Sequence, residues 1–439
     1  MRIPSADAGI ASSQLTTHDS RLVDDSRRRR AVITGLGLVT PIGIGVEAVW
    51  QRLHEDRSAV QCIDRFDSSP FRSHIAAQIN DFDPVAMLSA KQARRTDRCS
   101  QLALGAARLA IEDAAIDLSR EVPDRVGVLA GTALGGIGFA ELENQKYLQG
   151  GPREVDPLLA LTVFGGAVSC NIAITHGISG VNSTNAMSCA SGTLAIGQAF
   201  RAIVAGDADV VIAGGSEAPL YHLCYGSFSL IRAMSTRNAD PATASRPFDV
   251  ARDGFVMAEG SAMLIVESLE HALARGARIY AEIAGFGLTN DAYHMTQPRP
   301  DGREASRAMR LALDEARCRP EEVEWVNAHG SSTPLNDATE ARAIRDVFGD
   351  HTDTLPVSGS KGWHAHALGA SGAMETAISC LAMTRGWIHP TLNCIDPDPA
   401  GDLLHVPPEG LERRPRAVLK NSFGFGGCNA TLLLRDPGV

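Results

Sequence analysis

One cysteine and two histidines, far apart in the chain, have surroundings suited to chemistry. Cys189 lies within the run Val181 to Gly197. Residues 181–187 can extend and residues 188–192 are small and turn-capable. Ile196, Ala199, Phe200 and Ile203 then recur at helical spacing up to Gly206. The cysteine thus marks the change from a strand to the N-terminus of a buried helix. Unpaired N–H groups and the positive dipole end there favour a thiolate. Ala190, Ser191 and Gly192 leave a substrate room to reach the sulfur. Such a cysteine by itself is more often a small buried hydrophobe; the two distant histidine motifs reverse the odds. His329 sits where a strand pattern ends in a polar turn, Asn327 to Thr333, with Asp337 and Glu340 just beyond on a predicted helix. His366 lies in a second turn-rich stretch that also carries Lys361, and Glu375 follows on another helix.

Two chemistries suit a cysteine at a helix start with histidines on strand-end loops. In Cys–His hydrolysis one histidine activates the thiol and a third residue orients it. In acyl transfer with carbon–carbon bond formation the thiol carries the acyl group, and two neutral histidines hydrogen-bond a developing enolate oxygen. The second reading uses both histidines and gives the lysine a place. Any one of the 13 histidines is more often structural, so the signal is the set.

The elements that must hold these residues read as α/β. The 439 residues suffice for one large domain or two similar ones. Helical patterns fall at 47–54 and 98–115. Strand patterns fall at 125–130 and 208–214, the latter a continuous apolar run typical of a buried parallel strand. Strands alternating with helices predict a layered α/β fold. Ile33-Thr34-Gly35-Leu36-Gly37-Leu38 is echoed by Ile283-Ala284-Gly285-Phe286-Gly287-Leu288, which suggests two halves of like topology joined near 274–279. The boundaries read as an N-terminal half over 30–276 with the nucleophile and a C-terminal half over 277–439 with both histidines. Residues 1–29 are polar, end in an arginine run and read as a disordered extension without a secretory h-region.

Composition excludes several classes. A net charge of −10 argues against general nucleic-acid binding, and no apolar run is long enough to span a bilayer. The nine cysteines are scattered without CxxC pairs or zinc spacing, which fits a reducing cytoplasm. Gly35 and Gly37 lack the third glycine of a dinucleotide fingerprint.

Taken together, the motifs resemble those of the elongating 3-oxoacyl-[acyl carrier protein] synthases, condensing enzymes of the thiolase-like fold. Ser188-Cys189-Ala190-Ser191-Gly192 is similar to that family's nucleophile turn. Asn327 to Asp337 is similar to its first histidine loop, Lys361 to Gly372 to its lysine and second-histidine loop, and Asn421 to Asn429 to its C-terminal glycine loop. The resemblance runs from Arg30 to the C-terminus. It implies two similar halves in an α-β-α-β-α core, and condensation of malonyl-acyl carrier protein with an acyl group on Cys189. His329, His366 and Lys361 would be catalytic, with Glu375 supporting. Backbone N–H groups of Cys189 and Phe425 would form the oxyanion hole, with Phe423 and Phe425 as gates. Ser331 and Thr333 would bind pantetheine, and Leu134 and Phe228 would sense the acyl tail. Lys91, Arg94, Arg95, Arg153 and Arg232 would dock the acidic carrier protein. The resemblance implies no metal or organic cofactor, since substrates ride on the carrier's phosphopantetheine. It also implies a homodimer, or a heterodimer with a chain-length partner.

The chain departs from the family pattern in places. Lys361-Gly362-Trp363-His364-Ala365-His366 stands where Lys-Ser-Met-Thr-Gly-His is usual, a change expected to reshape the malonyl site or subunit contacts. Ser331 replaces a threonine, and Glu154 stands where a second basic docking residue is frequent. The resemblance implies fatty acid or polyketide chain elongation; these departures, with the N-terminal extension, hint at a specialised synthase, such as one of polyketide or polyene assembly, rather than housekeeping fatty acid elongation. The rivals are a type II polyketide ketosynthase acting with a dead partner, a non-catalytic chain-length partner, and a Cys–His hydrolase. The nucleophile and both histidines argue against the non-catalytic partner.

Overall fold

The glycine-spaced echo is the key to the architecture in the computed structural model, which describes residues 28–439. The strands are β1 (Ala31–Thr40), β2 (Val126–Gly131), β3 (Asn182–Asn185), β4 (Val210–Glu217) and β5 (Gly260–Ser268), then β6 (Ala281–Asn290), β7 (Trp325–Asn327), β8 (Val357–Ser358), β9 (Ala417–Gly424) and β10 (Cys428–Arg435). With the two-residue strand Gly43–Ile44 paired to β1, they form an eleven-stranded sheet ordered β8-β7-β9-β10-β6-β1-β5-β4-β2-β3. From each outer edge inward the strands run third, second, fourth, fifth, first. One topology is therefore used twice. The copies meet where β1 and β6 pair antiparallel, Ala31 to Ile283 and Ile33 to Ala281.

Helices α1 (Arg98–Ala114), α2 (Ser191–Ala205), α3 (Arg303–Ala316), α4 (Pro334–Phe348) and α5 (Ser371–Arg385) complete the layers. The repeated glycines exist because α1 and α3 lie almost on the strands. A Cβ at Gly37 would stand 1.8 Å from the Ala106 carbonyl oxygen, and one at Gly287 1.8 Å from that of Ala308. Alternation along β4 sorts the layers. Val210 and Ile212 join the outer cluster with Leu102 and Ala106 of α1, whereas Val211 and Ala213 join the central cluster with Ile196 of α2 and Ala377 of α5. The second copy does the same: Val326 and Leu419 face Met309 and Leu313 of α3, and Trp325 and Val418 face the centre. Every residue of α5 from Ser371 to Met383 is buried, as a helix between two β layers requires. Both central helices end on left-handed glycines, Gly206 (φ 82°) and Gly386 (φ 77°).

Two expectations change. The C-terminal glycine loop is the turn of a hairpin: β9 runs through Phe423 to Gly424, and β10 is eight residues long. Most of the expected N-terminal extension, residues 1–27, lies outside the described residues. Its last two residues belong to the fold: Arg28 pairs with Glu315 of α3 at 3.0 Å and Arg29 with Asp209 at 2.5 Å.

Candidate active site

Cys189 sits on a single 3₁₀ turn, Ser188–Ala190, between β3 and α2. Ser188 enters it with φ 52°, a left-handed conformation uncommon outside glycine. The turn is held from below. The Ser191 hydroxyl lies 2.7 Å from the Ser188 carbonyl oxygen and 3.1 Å from that of Thr132, and the Asn185 amide donates to the Ser191 carbonyl oxygen at 3.0 Å. The second copy has the matching turn Leu368–Ala370 at the start of α5, again entered by a positive-φ residue, Leu368 at 41°.

His329 and His366 reach the same place from the second copy. Both line one cavity of about 330 Å³ with Cys189, Phe228, Phe423 and Phe425. The rings stand edge to face, centroids 5.3 Å apart. The His329 loop is held by the buried carboxylate of Glu340 on α4, which accepts the His329 and Gly330 backbone N–H groups at 2.8 and 2.9 Å. His366 is held by its backbone, donating to Val256 at 2.8 Å and accepting from Ala258 at 3.0 Å.

The electrostatics keep both imidazoles neutral. Burial pushes each far below the usual histidine range, and the Lys361 cation pushes the same way. Lys361 is fully buried, donates to the His329 carbonyl oxygen and the Glu375 carboxylate, and lies 3.4 Å from His329 Nδ1. An ammonium facing Nδ1 makes that nitrogen the acceptor, so the proton sits on Nε2. The Ser371 hydroxyl, 2.8 Å from His366 Nδ1, can set the same tautomer in the second ring. Burial alone would raise the Glu375 carboxyl; Lys361 and Lys420 outweigh it and hold it below the usual range. Burial pushes the Cys189 thiol up, against the Ser188 hydroxyl, the Lys361 charge and the Phe425 backbone N–H. Desolvation thus opposes the thiolate expected from the helix end.

Lys420 escaped the sequence reading. It lies on β9, fully buried, with Nζ 2.6 Å from the second oxygen of Glu375. Its signal was present: Val418 and Lys420 share one face of the strand by alternation, and Val418 belongs to the central core.

A buried cysteine with two neutral histidines in one cavity is the outline of a condensing site. The model of the beta-ketoacyl synthase N-terminal domain matches residues 28–272, and that of the C-terminal domain matches 280–395. The chain belongs to the beta-ketoacyl synthase family. It is 45% identical over 407 residues to a 3-oxoacyl-[acyl-carrier-protein] synthase 2 of Coxiella burnetii, covering 93% of this chain and 98% of that one. A Staphylococcus aureus protein of the same description is 42% identical over 410 residues, covering 93% and 99%. Among solved structures, the ishigamide ketosynthase/chain length factor aligns at a TM-score of 0.87 and 35% identity. A type II polyketide ketosynthase, solved with its acyl-carrier protein and bound to the hexaketide, aligns at 0.86 and 36%. Each alignment covers 93% of this chain and 99% of the other. The fold is thiolase-like and the protein is an acyltransferase of the condensing class.

The other expected residues of this synthase fall variously around the cavity. Ser331 and Thr333 line it and lie 2.8 Å apart through their hydroxyls; Ser331 is also 3.3 Å from the buried Asp337. Phe228 stacks on Phe425 at 6.4 Å, with ring planes 12° apart. Leu134 does not line the cavity, but it packs against the apolar cluster that contains Cys189. Arg232 is exposed and lines the cavity. Lys91, Arg94 and Arg95, on the short helix Ala90–Arg95, and Arg153 are exposed and lie outside its lining. Trp363 and His364 also lie outside its lining. Trp363 is buried and ties the lysine turn to the N-terminal segment: its indole N–H donates to the Glu55 carbonyl at 2.9 Å. His364 is buried with Nε2 2.8 Å from the Ser360 hydroxyl.

Proposed function

We propose that the synthase condenses malonyl-acyl carrier protein with an acyl group held on Cys189, giving 3-oxoacyl-acyl carrier protein. The observation that carries this reading is the pair of neutral histidines in the cavity of a buried cysteine. A hydrolase needs one histidine as base; an enolate needs two donors. Residues 30–276 carry the nucleophile half and 277–439 the histidine half.

In the first half-reaction the Cys189 sulfur attacks the acyl thioester carbonyl. The Cys189 thiol proton passes to the departing carrier thiolate, and the oxyanion rests on the backbone N–H groups of Cys189 and Phe425. Phe423 and Phe425 gate the acyl cavity, whose tail passes Leu134 and Phe228. Malonyl-acyl carrier protein then enters, its pantetheine arm against Ser331 and Thr333. The bond to the carboxylate breaks, CO2 departs, and the electron pair becomes an enolate held by His329 and His366 through Nε2. The enolate carbon attacks the acyl carbonyl, the new carbon–carbon bond forms, and the Cys189 sulfur leaves as a thiolate that takes a proton from water. Lys361 fixes the His329 tautomer and Glu375 holds Lys361. No step calls on a metal or organic cofactor. The carrier protein docks at Arg232 and the basic residues Lys91, Arg94, Arg95 and Arg153. Scattered unpaired cysteines suit a cytoplasmic enzyme.

A second reading concerns assembly. The likeness to a ketosynthase/chain length factor supports action with a chain-length partner in polyketide or polyene elongation, in place of a homodimer.

The test is intact-protein mass after mixing with a panel of acyl-carrier thioesters, followed by malonyl-acyl carrier protein. Wild type is expected to gain the acyl mass and then discharge it as a product two carbons longer, while Cys189→Ala gains nothing. Failure of every thioester to load wild type, with a chain-length partner present, would overturn the reading.

A further inference from the structure

The centre contains two buried lysines and one carboxylate between them. Lys361 holds one oxygen of Glu375, and Lys420 lies 2.6 Å from the other. Both ammonium groups and the carboxylate are cut off from solvent. A lone Lys361–Glu375 pair would be neutral and would project little field. A second lysine on the same carboxylate leaves the cluster with an uncompensated positive charge. In a medium of low polarisability such a charge acts over several ångströms. Lys420 is fixed by its other contacts: Nζ lies 2.5 Å from the Ser422 hydroxyl and 2.5 Å from the Asn421 carbonyl oxygen. Ser422 in turn lies 2.8 Å from the Thr193 hydroxyl on α2, the helix that begins beside Cys189. A buried polar path therefore runs from His329 through Lys361, Glu375, Lys420 and Ser422 to the nucleophile's helix.

We propose that Lys420 is a positioning residue for decarboxylation: by sharing Glu375 with Lys361 it leaves the Lys361 charge beside His329 partly uncompensated, and that charge strengthens the hold of the two histidines on the enolate. The inference rests on the condensing reaction proposed above. The groups facing Lys420 are Glu375 on α5, Lys361 on the turn before it, Glu340 on α4, and the two histidines. Glu375 and Glu340 favour its charged form and Lys361 opposes it. Lys420 lowers both histidines further. Burial brings the Lys420 ammonium down to about 8, so its charge is present at neutral pH and lost above that.

The experiment compares wild type with Lys420→Met and Lys420→Gln; the glutamine keeps a donor toward Glu375 and Ser422 without the charge. Two rates are read against pH: CO2 release from malonyl-acyl carrier protein, and acyl loading of Cys189 followed by mass. Removing a nearby charge moves a buried imidazole by roughly one pH unit, which corresponds to about a tenfold change in an electrostatically assisted rate. Both variants are expected to load acyl groups at the wild-type rate and to release CO2 about tenfold more slowly at pH 7. The acid limb of CO2 release should move up by roughly one unit. Wild type is expected to decline above about pH 8, where the Lys420 charge is lost, and the variants are not. A folded Lys420→Gln with wild-type CO2 release and unmoved limbs would overturn the inference. So would loading and decarboxylation falling together with both limbs in place, the mark of a structural role. Should neither variant fold, a wild-type CO2 release that stays flat through alkaline pH would overturn it, and a decline there would support it. If wild type loads acyl groups but releases no CO2, the condensing reading fails and takes the inference with it.

Discussion

Ala365, the residue before His366, has φ 58° and ψ −156°, a region that glycine occupies and other residues avoid. The family pattern places glycine there. The conformation is forced by its neighbours. The Ala365 N–H donates to the Lys361 carbonyl at 2.9 Å, and His366 is paired by backbone to Val256 and Ala258. Strain of about 1–3 kcal/mol is therefore stored beside a site histidine. Ala365→Gly relieves it, less the extra entropy that glycine gives the unfolded chain. The expected result is a gain of about 1 kcal/mol in unfolding free energy, read from denaturant midpoints at unchanged slope. A loss would mean that packing of the buried methyl outweighs the strain. At this scale the sequence was informative about identity and poor on state. Cys189, His329, Lys361 and His366 stood out by the company they keep. The raised thiol and the lowered imidazoles come from burial, which no local pattern displays.

Helix–strand contact decides what each element tolerates. Gly287 allows α3 to lie against β6, and its Cβ would collide with backbone, which cannot rotate away as a side chain can. Gly287→Ala is expected to cost about 3 kcal/mol or more and to lower the apparent melting temperature. Gly276, where an added Cβ meets nothing within 4 Å but φ is 66°, serves as the comparison. There Ala should cost only about 1–2 kcal/mol of backbone strain. A loss at Gly287 no larger than that at Gly276 would show that α3 shifts to admit the added methyl group. The internal echo of these glycines was visible in the sequence because close packing leaves its mark on residue type. The hairpin β9–β10 was less visible, because its turn residues Gly424, Gly426 and Gly427 dominate the pattern and mask the strands on either side.

Across the whole molecule, buried titratable groups set the response to acid. His364, His389 and His405 are lowered to about 4, chiefly by burial, and His329 and His366 are well below their usual range. A depressed histidine contributes stability that is present above the unfolded value near 6.5 and lost as pH falls through the folded one. Glu217 and Glu340 are raised by burial to about 7. Raised carboxyls act in the opposite sense: the stability they contribute is present at low pH and lost as pH rises through about 7. Between pH 6.5 and 5 the histidines outnumber the carboxyls, so the unfolded chain binds more protons than the native one. Stability should fall on acidification by about 1.4 kcal/mol per pH unit for each net proton. Urea midpoints at pH 7.5 and 5.5 check the sign; a higher midpoint at 5.5 would show that the carboxyls dominate.

The α/β class, the duplicated topology and the residues that could do chemistry were legible in the chain's amino acids alone, because each rests on local signals: periodicity, glycine spacing and turn-forming motifs. The family resemblance was legible for the same reason. It took the packed layers to show that Cys189, His329 and His366 share one cavity, that Trp363 and His364 lie outside its lining, and that Lys420 joins Lys361 on Glu375. Those facts depend on which strands become neighbours across the seam and on how completely water is excluded there. A buried lysine and a solvated one are the same letter until the layers close around it.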